Sequence, residues 1–394
     1  LLTLLVAAVL PGFVLAQSLE PDRDSLLANA ASQTTLVSEA SQSNLEGLPT
    51  VEGLIQFRAL GTYGAESDGL DDAAWGFQAT RLRLKLKGDV PRSRLSYELG
   101  IDISSGKSFA ELLDAFVVWK VTDQLSLRVG QGKMPFSQET DMSPATVTGL
   151  DFSLLNSIFG MGRSQGVMVT HEAERLRGRL MISDGRNGIN TPITSSDESD
   201  FAVTARVETR LGDAPWRQLV TTSGMPGDKL GALLGFAAHW QVEGAIPAPA
   251  DLTGSLSLLS LTADVSIEGD GWHIMGVAFM RTISGAADSY TDLAGQIQSG
   301  LFVRRDLEVY GRVSLVVPDP DRPSSPDPFW EITFGAGWYP IEATRAVKIT
   351  GEVGIFPKPQ GRAGGVVPAS TRTRILDDES GGQISTGLQV QVLF

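Results

Sequence analysis

Gln78-Ala-Thr-Arg-Leu-Arg-Leu-Lys-Leu-Lys87 is the stretch on which the fold turns. Leu82, Leu84 and Leu86 share one parity; Arg81, Arg83, Lys85 and Lys87 share the other. A helix would scatter both sets around its circumference. A strand puts every leucine on one face and every cation on the opposite face. A row of cations has no place in an apolar core without partners. One face of this strand therefore meets a nonpolar medium and the other a wet one.

The same texture runs outward in both directions. Leu95, Tyr97, Leu99 and Ile101 oppose Ser96, Glu98, Gly100 and Asp102. Leu113, Ala115, Val117 and Trp119 oppose Asp114 and Phe116, and Leu180 and Ile182 oppose Arg177 and Arg179. Val203, Ala205 and Val207 oppose Thr204, Arg206 and Glu208. The closing Ile384-Ser-Thr-Gly-Leu-Gln-Val-Gln-Val-Leu-Phe394 alternates as well, so an otherwise fraying end reads as a wall strand paired with the first. About sixteen such segments follow Val51. Short turns such as 89–92, 121–124 and 172–174 alternate with long Gly-, Pro-, Asp- and Ser-rich connections such as 64–72, 134–163 and 357–379. One connection on the short side, 211–228, is out of pattern because it is long and carries Trp216.

Two architectures could hold so many up-and-down strands. A soluble protein would split them into sandwiches with wet outer faces. A closed barrel in lipid reverses this, apolar outside and polar within. The polar face is Arg, Gln, Ser, Thr and Gly rather than Lys and Glu, which suits a crowded lumen. Trp119, Trp240, Trp272, Trp330, Trp338, Tyr63 and Phe394 stand near strand ends, where aromatic girdles sit. Backbone groups in hydrocarbon must all be paired, which only closure achieves for a sheet. The expected fold is all-β: a closed antiparallel transmembrane β-barrel of about 16 strands over 49–394.

Before the barrel, Leu1–Leu10 are mostly apolar and Val14-Leu15-Ala16 offers a small-residue cleavage site. Residues 1–16 read as a signal peptide entered part-way, and the mature chain as exported. Residues 17–48 read as a polar periplasmic segment with a short, weak helix. The 394 residues carry a net charge of −14, and an acidic chain does not hold nucleic acid through its overall field. There is no cysteine, and His171, His239 and His273 form no ligand motif. Nothing in the sequence calls for a metal or a cofactor.

Four blocks carry a family resemblance. Leu125-Ser-Leu-Arg-Val-Gly-Gln-Gly-Lys-Met-Pro-Phe-Ser137 resembles a signature segment of the phosphate-selective porin O and P family. Arg81–Gly88 resembles its Arg-rich second strand, Leu112-Leu-Asp-Ala-Phe116 its RDAY strand, and Gly160-Met-Gly-Arg-Ser-Gln-Gly166 its PGRDxG return. The match spans roughly 50–185. The resemblance implies a sixteen-stranded barrel of the bacterial outer membrane, usually a homotrimer, with one loop folded inward to narrow a pore. Connection 134–163 fits that loop, because its apolar block Leu150–Phe159 needs burial. The family's basic lining maps onto Arg81 and Arg83, its acidic lining residue onto Asp114, while Thr80 departs from its usual Arg.

Function then rests on the lumen. Pores select by diameter and lining charge, and guanidinium groups keep their charge while offering forked donors to anions. The candidate lining residues are Arg81, Arg83, Lys85, Lys87, Asp114, Arg128, Arg163, Arg177, Arg179, Arg206 and Arg312. The plainer reading of each is a wall ion pair, for which Glu98, Asp102 and Glu208 are at hand. The family's middle-loop lysine cluster is missing, since no lysine lies between Lys229 and Lys348. The expected function is passive diffusion of small hydrophilic solutes, general or mildly anion-preferring, with lipid and a trimeric assembly as partners. The alternatives are a structural or adhesive barrel with a plugged lumen, a barrel hydrolase, which lacks a Ser–His motif here, and a soluble secreted β-protein.

Overall fold

The computed structural model describes residues 49–64, 73–103, 110–249, 251–323, 326–342, 344–360, 366–367 and 381–394. The expected signal peptide and the 17–48 helix lie outside the described residues. The rest is a closed barrel of sixteen antiparallel strands, each hydrogen-bonded to its chain neighbours. The strands are β1 (Thr50–Tyr63), β2 (Ala73–Asp89), β3 (Leu95–Asp102), β4 (Glu111–Lys120), β5 (Leu125–Lys133), β6 (Arg163–Glu172), β7 (Leu176–Ser183) and β8 (Phe201–Gly212). They continue as β9 (Gly231–Val242), β10 (Ser257–Gly269), β11 (Trp272–Ser284), β12 (Ser289–Arg304), β13 (Leu307–Val317), β14 (Phe329–Trp338), β15 (Val347–Phe356) and β16 (Gln383–Leu393).

Closure is made by β1 against β16, from Leu54 opposite Leu393 to Tyr63 opposite Ile384. Phe394 extends the pairing: its N–H donates to the Gly53 carbonyl at 3.0 Å, and its carbonyl accepts from Gly53. The Phe394 ring lies so close over Gly53 that a Cβ there would stand 2.3 Å from it, so a side chain at this position would have to turn the ring aside. The terminal strand does not fray because both its edges are bonded.

Alternation places the side chains as the strand reading requires. On β2, Leu82 and Leu84 face outward and are exposed, whereas Arg81 and Arg83 face the interior. Around the barrel, Leu99, Val117, Val129, Val169, Leu180, Val207, Phe236, Ile274, Ile297, Leu315, Phe334 and Val390 continue the outward apolar belt. Exposed Trp119, Trp240, Trp330 and Trp338 stand near the ends of their strands. A belt of this extent is far beyond the patches that water tolerates, and it matches a lipid-facing wall.

The interior is not one uniform polar lumen. Residues 134–162, between β5 and β6, are almost all buried. They carry two short helices, α1 (Gln138–Asp141) and α2 (Leu154–Phe159), capped by the Ser137 and Ser153 hydroxyls. Met134, Phe136, Leu154, Leu155, Ile158, Phe159 and Met161 form an apolar core with the inward side chains Ala237, Val277, Phe279, Ala294, Val316 and Phe329. Phe279 stacks between Phe136 and Phe159, at ring-centre distances of 6.1 and 5.6 Å. The apolar block of this connection is buried by the barrel wall itself.

Candidate pore site

The β5–β6 segment is pinned to the wall at several points. Arg58 of β1 and Arg81 of β2 both reach Asp151, at 2.9 and 2.6 Å. Burial would raise the Asp151 carboxyl, but the Arg81 and Arg58 guanidiniums outweigh it and hold it well below the usual carboxylate range. On β15, two strands round from β1, the Lys348 ammonium donates to the Val147 and Thr148 carbonyls, each at 2.7 Å. Glu352 accepts from the Leu150 N–H, and Asp264 from the Gln138 N–H. Inside the segment Glu139 accepts from the Ser153 N–H and hydroxyl, which ties α1 to α2. Burial pushes the Glu139 carboxyl up, against the opposing pull of the Ser153 bonds.

The cations picked out from sequence all sit on this polar side, and nearly all are paired. Arg83 bonds Asp102 at 2.8 Å, Lys85 bonds Glu98 at 2.9 Å and Lys87 bonds Glu52 at 2.7 Å. Arg163 grips Asp114 through two parallel bonds of 2.9 and 3.0 Å. Arg177 and Arg179 share Glu208, and Arg179 also reaches Asp141. Arg206 holds Asp264 by a fork of 2.7 and 2.8 Å, and Arg312 stands 3.4 Å from Glu331. Arg128 differs: it donates to the Lys133 carbonyl and lies over the Phe116 ring at 5.2 Å. Among the described residues no carboxylate stands within ion-pair distance of Arg128.

The structure does not keep the eleven residues in one place. Arg83 and Arg163 line a common cavity of about 230 Å³ between the wall and the β5–β6 segment. Arg206 and Arg312 are buried in the filled part of the interior, 1 and 3% exposed, and touch no open space. Sequence reasoning missed two cations that share the cavity, Lys133 and Arg186. Lys133 donates to the Asp141 and Met142 carbonyls, and Arg186 to the Gly160 carbonyl. Among the described residues neither has a carboxylate at ion-pair distance. Burial and the nearby Arg281 lower the Arg186 guanidinium to about 10, so it stays charged at neutral pH. Lys133 closes the quoted 125–137 block and could have been flagged there. Arg186 follows β7 in a polar connection, where one arginine carries no pattern.

The cavity is also lined by Phe152, Pro144, Thr140, Asn156, Ser157 and Asn187. It is a small polar chamber with more cationic than anionic lining, in a barrel whose outer wall faces lipid. Residues 60–207 match the family described as Phosphate-selective porin O and P. Over this stretch the chain is similar to that family. With a lipid-facing barrel, this match indicates the bacterial outer membrane as the chain's location. No curated protein sequence matches the chain.

Solved porin structures share the fold along most of its length. An anion-selective porin from Comamonas acidovorans is 14% identical, with a TM-score of 0.62 over 89% of this chain and 100% of that one. The outer membrane channel DcaP of Acinetobacter baumannii is 11% identical, with a TM-score of 0.60 over 89% and 99%. OmpT of Vibrio cholerae, in a trimer form, is 9% identical, with a TM-score of 0.58 over 88% and 100%. At these identities the likeness is one of fold. The shared architecture is that of a porin-like barrel.

Proposed function

We propose that this barrel is a porin for passive diffusion of small hydrophilic solutes, with a preference for small anions. The observation that carries the reading is the cavity beside β2, β5 and β6, faced by Lys133 and Arg186 without carboxylate partners. A charge held in a confined aqueous space acts more strongly than in bulk water, because the effective dielectric is lower. The paired residues Arg83 and Arg163 contribute donors there but little net charge. Residues 134–162 serve as the constriction. The route past it follows the arc from β2 to β7, where inward side chains keep partial exposure.

A homotrimer is part of the same reading. The wall is low from β3 to β7, with strands of 8 to 10 residues against 16 in β12. There Leu99, Val117 and Trp119 offer an apolar outward face to a neighbour. The likeness to a porin solved as a trimer agrees with this.

Planar-bilayer recording in a KCl gradient tests the function. Wild-type protein should give a reversal potential on the anion side. Lys133→Gln combined with Arg186→Gln should lower the anion-to-cation permeability ratio several-fold toward parity. A wild-type reversal potential on the cation side would overturn the preference. A folded barrel that passes no current would favour the plugged-lumen reading, which the apolar filling of the interior supports on its own account.

A further inference from the structure

The long connection on the short-turn rim, 213–230, does not hang outside the barrel. Leu219, Thr221, Thr222, Ser223 and Met225 are 1, 4, 2, 1 and 7% exposed. Their partners are buried groups of the wall and of the turn before β15. Ser223 donates to Glu308 of β13 at 3.0 Å, and Arg345 donates to the Ser223 carbonyl at 2.8 Å. Gly224 passes so close to the Trp272 carbonyl that a Cβ there would stand 2.2 Å away. Trp216 anchors the entry, with Arg177 over its ring at 4.7 Å and its N–H toward the Ala173 carbonyl.

The tip of this connection meets the underside of the 134–162 segment. The Thr148 N–H donates to the Thr222 hydroxyl at 2.8 Å, and the Thr148 hydroxyl donates to the Thr222 carbonyl. The Thr222 N–H donates to the Thr146 carbonyl at 3.3 Å. Gln138 donates to the Leu219 carbonyl at 2.7 Å. Val220 packs on the small cluster of Met142, Val147 and Met275. Two chain segments entering from opposite rims thus abut in the interior, with buried, hydrogen-bonded polar groups between them.

We infer that residues 219–225 are a floor that shuts the β9–β15 half of the lumen. All traffic is thereby sent past the cavity faced by Lys133 and Arg186. The segment is a positioning element: through Thr222 it holds residues 146–148, and it sets the size limit without touching solute. The geometry explains why one short-rim connection is long. Short turns would leave an open gap beneath the 134–162 segment on that side.

The test replaces 219–225 by Gly-Ser-Gly and follows conductance together with liposome swelling by neutral sugars of increasing size. Conductance should rise by about twofold or more, and larger sugars should enter, since pore width sets both. Resistance to SDS before heating checks that the barrel is folded. A folded variant with wild-type conductance and size limit overturns the floor. The chain has no native cysteine, so Thr148→Cys with Thr222→Cys gives an independent probe. Their side-chain oxygens are 3.1 Å apart, within disulfide reach. Oxidation should cross-link the pair and leave conductance unchanged, because the two segments are already held together. Failure to cross-link in the folded barrel, or a change in conductance on cross-linking, overturns the proposal. This inference rests on the barrel being a channel. A wild-type barrel without current defeats that reading, whereas a conducting barrel indifferent to both changes defeats only the floor.

Discussion

The arc from β2 to β7 and the arc from β9 to β15 are built from the same kind of alternating strand, yet their inner faces meet different media. On the first arc the side chains of Arg83, Lys85 and Lys87 keep 21, 36 and 40% of their exposure. On the second, Arg312 and Lys348 are 3 and 1% exposed. Wall chemistry does not explain the contrast, because both arcs carry cations and carboxylates. It arises from what lies against the wall: open space on one side, the 134–162 and 219–225 segments on the other. An inward ion pair is thus close to a surface pair in one arc and a core pair in the other, and its worth differs accordingly.

The largest consequence is in stability. Arg206→Ala takes the cation from Asp264 of β10, on the filled arc, the two side chains being 0 and 1% exposed. Breaking such a pair should cost about 3–5 kcal/mol. Lys87→Ala, on the open arc, should cost under ~1 kcal/mol. Urea unfolding in detergent micelles compares the two, and equal losses would erase the distinction between the arcs. A smaller effect is expected in selectivity. Arg83→Gln alone should shift the reversal potential toward cations, because it removes the cation held against Asp102. Arg83→Gln with Asp102→Asn should return it close to wild type. A double variant as shifted as the single would mean that paired cations carry the field after all.

The smallest effect concerns pH. Asp151 is held below its ordinary range, so its contribution is complete above the unfolded value of about 3.9 and is lost only as pH falls through the folded value. Current noise from movement of the segment should therefore stay level from neutral pH down to about pH 4. Noise that grows across that window would show that the Arg58–Asp151–Arg81 latch does not hold the segment.

Legibility in the sequence followed the same divide. The 81–87 row declared both faces of β2 because leucine and cation never exchange parity. β11 declares neither: Met275, Val277 and Phe279 point inward while Ile274 and Ala278 point outward. Apolar residues on both faces hide the core that forms inside the barrel. Pairing was equally hidden, since Arg83 and Asp102 come together only through strand register, and Arg81 and Asp151 only through the path of a connection. Lys133 and Arg186 gain their meaning by what fails to stand beside them, which no local pattern records.

The sequence by itself determined the wall: strand after strand with a greasy face and a wet one, turns of unequal length on the two rims, and an end that must be paired. Period-two alternation is local, so it survives without any knowledge of neighbours. Only the tertiary structure decided how the hollow is divided. Which inward charges are spent on partners, which stay free, and how two connections from opposite rims fill half the lumen depend on groups far apart in the chain. Those distances are set by closure and register, and no single stretch of residues contains them.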